Sequence, residues 1–297
     1  MCGIVAGAQA PGASRNIVAV LLEGLKKLEY RGYDSAGLAV IAGERLTRLR
    51  SVGRVAELET QANAGELSAA TGIAHTRWAT HGVPSERNAH PHVSGRLAVV
   101  HNGIIENFAE LRAELTQLGY AFCSDTDTEV IAHLLEHALK SEPDLLAAVR
   151  CALHRLKGAY AIAVVCEAEP SRIIVAREGA PLLLGIAADG HYAASDAAAL
   201  LQVTRRMVYL ENGDIAELTP TRWRVVRSDG SPVERPVALS QLSADAVELG
   251  RFRHYMQKEI FEQPDALANT LDMAGAAKSV QPGLFGDLLI FKGHPFE

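Results

Sequence analysis

The order in which apolar periodicities follow one another constrains the architecture of this chain more than any other feature. A buried strand at Ile4–Ala8 leads into a helical period, Asn16–Tyr30, in which Ile17, Val20, Leu21, Leu25 and Leu28 share one face. Leu38–Ala42 and Arg45–Arg50 read as a hairpin around Ala42-Gly43-Glu44, and Thr71–Thr76 and Leu97–His101 as further strands. Two or three helices come next, over Glu106–Leu118, Asp127–Lys140 and Asp144–Lys157. Thr126 and Glu129 form a capping box at the start of the second. A strand series then fills the second half: Tyr160–Glu167, Arg172–Arg177, Leu182–Ile186, Tyr192–Ala194, Val208–Leu210, Ile215–Leu218 and Arg222–Val226. Asn212-Gly213 marks a hairpin turn in that series. Strands, then helices, then many strands predict antiparallel sheets with segregated helices, an α+β fold, and argue against a doubly wound parallel sheet.

A length of 297 residues allows one large or two medium domains. The character changes near residue 228: Ser228–Arg235 (SDGSPVER) is loop-like, and residues 240–297 show no evident core. They read as a linker and an incomplete second unit. A net charge of −6 gives no basic footprint for nucleic acid. No apolar run is long enough to predict a membrane span, so no membrane partner is expected. The start, MCGIVAGAQAPG, lacks the basic region of a signal peptide. The four cysteines, Cys2, Cys123, Cys151 and Cys166, form no CxxC pair, which fits a reducing, cytoplasmic setting. Cys151 and Cys166 lie in apolar segments and read as core residues, Cys123 as a silent loop residue.

The position of Cys2 is chemically special. Removal of Met1 leaves a thiol beside its own α-amine, and Cys is small enough to permit that removal. A free α-amine titrates at about 7.7–8.0 and a thiol at about 8.5, so the amine can serve as general base without a separate histidine. By position alone Cys2 also fits a small buried residue of the first strand. The polar loop Ala79–Gly95, rich in His, Pro, Gly, Ser and Asn, is long enough to suggest function.

Four segments together resemble the class II glutamine amidotransferases of the N-terminal-nucleophile hydrolase superfamily. They are Cys2-Gly3-Ile4-Val5, HTRWATHG at His75–Gly82, HNGII at His101–Ile105 and SDTDTE at Ser124–Glu129. Within that group, LEYRGYDSAG at Leu28–Gly37 and HYMQKEIFEQP at His254–Pro264 are similar to the glucosamine-6-phosphate synthase branch. The resemblance covers about residues 1–270. It implies an αββα sandwich, two antiparallel sheets between helical layers, with the amidotransferase domain at residues 2–228. Residues 229–270 would be the end of that domain and a linker towards a sugar isomerase domain, and residues 271–297 a divergent or truncated tail.

The resemblance also implies roles that the chemistry of amide hydrolysis supports. Cys2 is the nucleophile. The Asn102 side-chain amide and the Gly103 backbone N–H are the donors aimed at a tetrahedral oxyanion. Arg77 offers a planar fork for the α-carboxylate of glutamine and Asp127 a carboxylate for its α-ammonium. Trp78, Thr80 and His81 match a loop that closes over bound glutamine and excludes water. Each residue also has a plainer reading: Asn-Gly as an ordinary turn, Arg77 as a surface ion pair, Asp127 as a favourable charge in the first turn of a helix, and Trp78 as a half-buried anchor. Glutamine is the expected substrate, with no metal or organic cofactor. Fructose 6-phosphate would enter only through an isomerase domain, of which no Ser/Thr-rich phosphate loop is found, and the longer enzyme is expected to be a homo-oligomer. The residues leave open the glutaminase portion of another amidotransferase, an N-terminal-nucleophile hydrolase of a different amide, and a non-catalytic regulatory module.

One rival motif stands in the sequence. His133-Leu134-Leu135-Glu136-His137 matches an HxxEH zinc pattern. Val130, Ile131, Leu134, Leu135, Ala138 and Leu139 form an apolar helical face, which predicts that His133, Glu136, His137 and Lys140 lie on the solvated side. Glu136 and Lys140 have the spacing of an i,i+4 ion pair. His90 and His92, beside Pro91, read as loop residues.

Overall fold

The computed structural model describes residues 2–10, 12–13, 15–240, 252, 256–258, 260–261 and 263–264. In chain order the elements are β1 (Gly3–Gln9), α1 (Ile17–Leu28), β2 (Ser35–Ala42), β3 (Arg45–Val52), α2 (Val55–Ala64), β4 (Thr71–Arg77), β5 (His92–Ser94) and β6 (Leu97–Ile105). Helices α3 (Phe108–Gln117), α4 (Glu129–Ala138) and α5 (Leu145–Leu153) follow. Strands β7 (Gly158–Cys166), β8 (Ile173–Glu178), β9 (Leu183–Ile186), β10 (Gly190–Ala194), β11 (Arg206–Tyr209) and β12 (Ile215–Leu218) come next. The series closes with β13 (Trp223–Val226), β14 (Pro232–Val233) and β15 (Ala238–Leu239).

The strands build two sheets whose paired strands all run antiparallel. One has the order β15-β11-β9-β10-β1-β4-β2-β3, the other β14-β13-β12-β8-β7-β6-β5. Side-chain alternation divides the core into three layers. Ile4, Ala6, Ile73, Ala98, Val100, Ala161 and Ala163 fill the space between the sheets. Val5, Leu38 and Ala74, on the opposite face of the first sheet, pack against Leu21, Leu25 and Leu58 of α1 and α2. Val99, Ile162 and Val164 do the same against Val130, Ile131, Leu135 and Val149 of α4 and α5. The result is the expected four-layer αββα sandwich.

Helix α1 starts where its N-cap, Asn16, accepts from the Val18 N–H at 3.1 Å, and α5 starts where Asp144 accepts from the Ala147 N–H at 2.8 Å. The capping box expected from Thr126 and Glu129 does not form. Glu129 instead accepts from the backbone N–H groups of Cys123 and Ser124, at 2.8 and 2.7 Å, while the Thr126 hydroxyl meets His92. Asn212-Gly213 does not close a hairpin, because β11 and β12 on either side belong to different sheets. Its turn is the crossing between them, pinned by the Asn212 amide oxygen, which accepts from the Gly179 N–H at 3.0 Å. Past Ser228 the chain turns and still adds β14 and β15 to the two sheet edges.

Contacts divide the chain into residues 1–247 and residues 248–297. In the second unit, described positions between 256 and 264 are helical, and the rings of Phe252 and Phe261 stack at 5.5 Å. The tail expected at 271–297 lies outside the described residues, as does much of the expected linker beyond residue 240. No helix among the described residues is long and apolar enough to cross a membrane.

Candidate active site

Cys2 lies one residue before β1, an interior strand held by β4 and β10. Gly3 pairs with Thr76 and Ile4 with His75, while Val5 pairs with Ala194. Ser195 clamps the entry: its hydroxyl accepts from the Ile4 N–H at 3.0 Å and its own N–H donates to the Ile4 carbonyl at 3.1 Å. Gly3 is required by packing, since a Cβ there would lie 2.7 Å from both the Leu28 Cβ and the Thr76 hydroxyl. The Cys-Gly-Ile run thus lets the strand start tightly wedged with its thiol at the edge of the inter-sheet space.

The Cys2 Sγ accepts from the Trp78 N–H at 3.2 Å and approaches the Trp78 carbonyl at 3.5 Å. Among the described residues no imidazole or carboxylate is hydrogen-bonded to it. Burial pushes the thiol above its ordinary pKa, and the Trp78 N–H only partly opposes this. The thiol is therefore protonated at rest, and any chemistry it performs needs a base close at hand.

Asn102 and Gly103 sit inside the β6–β7 ladder, opposite Ala161 and Tyr160, and not in the turn that Asn-Gly alone suggests. Asn102 shares the inter-sheet face with Ala98 and Val100. Its Nδ2 donates to the Cys2 carbonyl at 3.1 Å, and its Oδ1 lies 3.0 Å from the His75 Nε2. Gly103 has φ +128°, and a Cβ there would lie 1.9 Å from the Ala159 carbonyl oxygen, so only glycine fits.

Arg77, at the end of β4, is buried, and its Nη2 donates to the carbonyls of His81 and Gly82. Its Nη1 is buried with no hydrogen-bond partner. Asp127 is also buried; one carboxylate oxygen accepts from the Ile105 N–H at 2.9 Å and the other lies 4.0 Å from the His81 Nδ1. Arg77 and Asp127 line one narrow pocket together with Cys2, Trp78, Thr80 and Gly103. A second cavity of about 260 Å³, lined by Arg31, Ile104, Ala180 and Pro181, meets the first at Cys2, Trp78, Thr80 and Gly103. The expected site residues are thereby brought together. His81 sits at the edge, its ring against Phe108 at 5.3 Å. Trp78 is partly exposed, edge-on to Tyr33 at 5.7 Å. Asp34 holds this loop by accepting from the Ala79 N–H.

Several residues near the site escaped the sequence pattern. His90 and His92, expected in a loop, are buried: the His90 ring lies 4.1 Å from that of His75 and 4.9 Å from that of His92. His92 Nε2 is 3.0 Å from the Thr126 hydroxyl, and His101 Nδ1 is 2.9 Å from the Thr128 hydroxyl. Burial lowers the pKa of all four histidines, pushing His75 and His92 down to about 3, so the cluster is uncharged at neutral pH. A run of His at strand ends and before Pro was the available signal, but it does not distinguish a buried cluster from a loop.

His133 is likewise not on a solvated face. It is buried, with Nδ1 2.7 Å from the Ser94 hydroxyl and Nε2 3.7 Å from Glu129, and Glu136 accepts from the same hydroxyl. Strand β5 covers that side of α4. Cys151, expected in the core, is exposed on α5, whereas Cys166 is buried. Among the described residues no three His, Cys, Asp or Glu are placed to hold a metal ion.

A thiol at the head of a central strand, in a sandwich of two antiparallel sheets between helices, defines the N-terminal-nucleophile hydrolase fold. Residues 75–202 match the family described as the glutamine amidotransferase domain. The chain is 53% identical over 273 residues to the glutamine–fructose-6-phosphate aminotransferase [isomerizing] of Vibrio cholerae, a match covering 92% of this chain and 44% of that protein. It is 55% identical over 289 residues to the same-named protein of Acidithiobacillus ferridurans, covering 97% of this chain and 47% of that protein. The glutamine phosphoribosylpyrophosphate amidotransferase of B. subtilis, solved with ADP and GMP, superposes with a TM-score of 0.64 at 27% identity, over 76% of this chain and 49% of that one. This chain carries a class II glutamine amidotransferase domain. It spans about half the length of the curated relatives it matches.

Proposed function

We propose that this chain hydrolyses glutamine to glutamate and ammonia through a Cys2 thioester, as the ammonia-donating half of glucosamine 6-phosphate synthesis from fructose 6-phosphate. The observation that carries the reading is the pocket ending at the Cys2 Sγ: a buried Arg77 Nη1 without a partner shares it with the buried Asp127 carboxylate. An unpaired buried cation donor is costly unless an anion arrives. A free amino acid supplies both complements, carboxylate to Arg77 and ammonium to Asp127, and glutamine extends its amide towards the thiol.

The steps follow from the groups present. The α-amine of Cys2, freed by loss of Met1, takes the thiol proton, since among the described residues no other base touches the sulfur. The sulfur bonds to the amide carbon, and the oxygen becomes an oxyanion received by the Asn102 Nδ2 and the Gly103 N–H. Collapse expels the nitrogen, which takes the proton back from the amine and leaves as ammonia. Water, deprotonated by the same amine, then cleaves the thioester to glutamate. Trp78, Thr80 and His81 cover the site, and Trp78 also holds the sulfur through its backbone.

Identity of 53–55% to glutamine–fructose-6-phosphate aminotransferases, against 27% to the glutamine phosphoribosylpyrophosphate amidotransferase, supports the amino-sugar branch. Fructose 6-phosphate would bind an isomerase domain of the longer protein, which would be a homo-oligomeric enzyme of the cytoplasm. The proposed steps call on no metal or organic cofactor. Incubation of the chain with glutamine and fructose 6-phosphate, with separate quantification of products, tests this: glutamate forms and amino sugar does not. Absence of glutamate from correctly processed protein would overturn the reading.

A further inference from the structure

His75 belongs to the strand that carries Arg77, yet the hydrolysis described above gives it no part. Its position is nonetheless specific. The Nε2 lies 3.0 Å from the His101 carbonyl oxygen and 3.0 Å from the Asn102 Oδ1. A backbone carbonyl can only accept, so Nε2 must carry the hydrogen. The Asn102 atom facing it must then be the acceptor, which turns the Nδ2 towards Cys2, where it donates to the Cys2 carbonyl at 3.1 Å. The His101 carbonyl, which cannot be flipped, thus sets the sense of the His75 N–H that faces the amide.

We infer that His75 is a positioning residue that, together with the Cys2 carbonyl, fixes the orientation of the Asn102 amide, so that N–H, and not C=O, faces the oxygen that becomes negative. The inference rests on the glutaminase reading. With the amide reversed, its oxygen would oppose the oxyanion and raise the barrier that it otherwise lowers. An asparagine amide is nearly symmetric in shape, so its orientation is set by the polar atoms it faces: the accept-only Cys2 carbonyl on the Nδ2 side and the His75 N–H on the Oδ1 side. The neutral ring serves this well. It has a single N–H, committed to Nε2, while its Nδ1 is buried without a partner against the ring of His90. Accepting from His75 also polarises the amide and strengthens Nδ2 as a donor.

The site allows a clean test. His75 continues the inter-sheet row of Ile4 and Ile73, so His75→Leu removes the donor while keeping an apolar filler; His75→Met serves if the leucine variant fails to fold by circular dichroism. Three readouts are taken on processed protein: glutamine kinetics, inhibition by glutamate γ-semialdehyde, and inhibition by glutamate. The aldehyde adds the thiol across its carbonyl, sulfur to carbon and proton to oxygen, placing a tetrahedral oxygen where the oxyanion forms. Glutamate forms no such adduct.

The expected result is a fall in kcat of about 10–100-fold with KM within about twofold, because the interaction exists only in the transition state. Aldehyde affinity falls by a similar factor and glutamate affinity does not. His75→Gln, which keeps an amide donor, recovers part of the loss. In an Asn102→Ala background the same His75 change has less than about a twofold effect, since the residue acts through Asn102. An equal loss in both backgrounds would make His75 a packing residue and overturn the inference, as would unchanged kcat and aldehyde affinity. A parent chain that releases no glutamate would overturn the functional reading and this inference with it; an active parent isolates the inference alone.

Discussion

The space between the two sheets has two regions built by the same alternation of the same strands. In the middle, Ile4, Ala6, Ile73, Ala98, Val100 and Ala163 form a dry layer of small and branched side chains. At the Cys2 end, the next residues in those rows are His75, Arg77 and Asn102, all buried and all polar. The first region is interchangeable with the core of any sandwich; the second keeps an unpaired guanidinium nitrogen and the neutral His75 imidazole out of water beside a protonated thiol. The dry layer supplies the stability that lets the polar end remain unsatisfied.

The largest effect should come from the thiol. Cys2→Ala abolishes glutamate release yet leaves the circular dichroism spectrum and unfolding temperature near those of the parent, and protein shown by mass spectrometry to retain Met1 is equally inactive. Full activity with Met1 in place would discard the amine as base. Next, Arg77→Lys keeps a charge but loses the planar fork, and a rise in KM for glutamine of roughly 10–100-fold is expected from a lost charged hydrogen bond, with Asp127→Asn acting in the same direction. Unchanged kinetics in both variants would remove them from substrate binding.

The contrast sharpens when the dry region is cut instead. Ile73→Ala should cost about 2–5 kcal/mol in urea unfolding, with the kcat of the folded fraction close to normal; a large fall in kcat would mean that the two regions are not separable. The smallest effect is that of pH on stability. Folded pKa values of His75 and His92 near 3, below the unfolded value of about 6.5, mean that the unfolded chain binds more protons between these limits. Stability is then full above about pH 6.5 and falls as pH drops, each such histidine contributing up to about 1.4 kcal/mol per pH unit. A flat unfolding profile from pH 7.5 to 5 would show the cluster to be charged or hydrated.

The longer sheet strands were legible because period-two alternation survives burial, and α1 because its apolar stripe is continuous, whereas β5, β14 and β15, of two or three residues each, are too short to show a period. Helix α2 was not, since only Val55, Leu58 and Ala62 of its ten residues are buried. The Asn212-Gly213 turn has the chemistry of a hairpin, and nothing local says that its flanking strands part to different sheets. His133 was assigned to solvent by a helical wheel, which cannot know that β5 lies across that face. Cys2, Arg77, Asn102, Gly103 and Asp127 were found through motif resemblance, whereas the bearing of His75 on Asn102 depends on a contact across sheets that no spacing encodes.

Strand β1 has a consequence for how the protein is made. It is synthesised first, yet both its neighbours come later: β4 at residues 71–77 and β10 at residues 190–194, with Ser195 securing its first turn of pairing. Such distant pairings form late in folding. On the ribosome, the head of the chain would therefore stay loose until residue 194 has emerged, open to a peptidase that removes Met1. On the proposed mechanism the thiol would be armed only when β10 arrives, so a chain cut short before residue 190 would consume no glutamine.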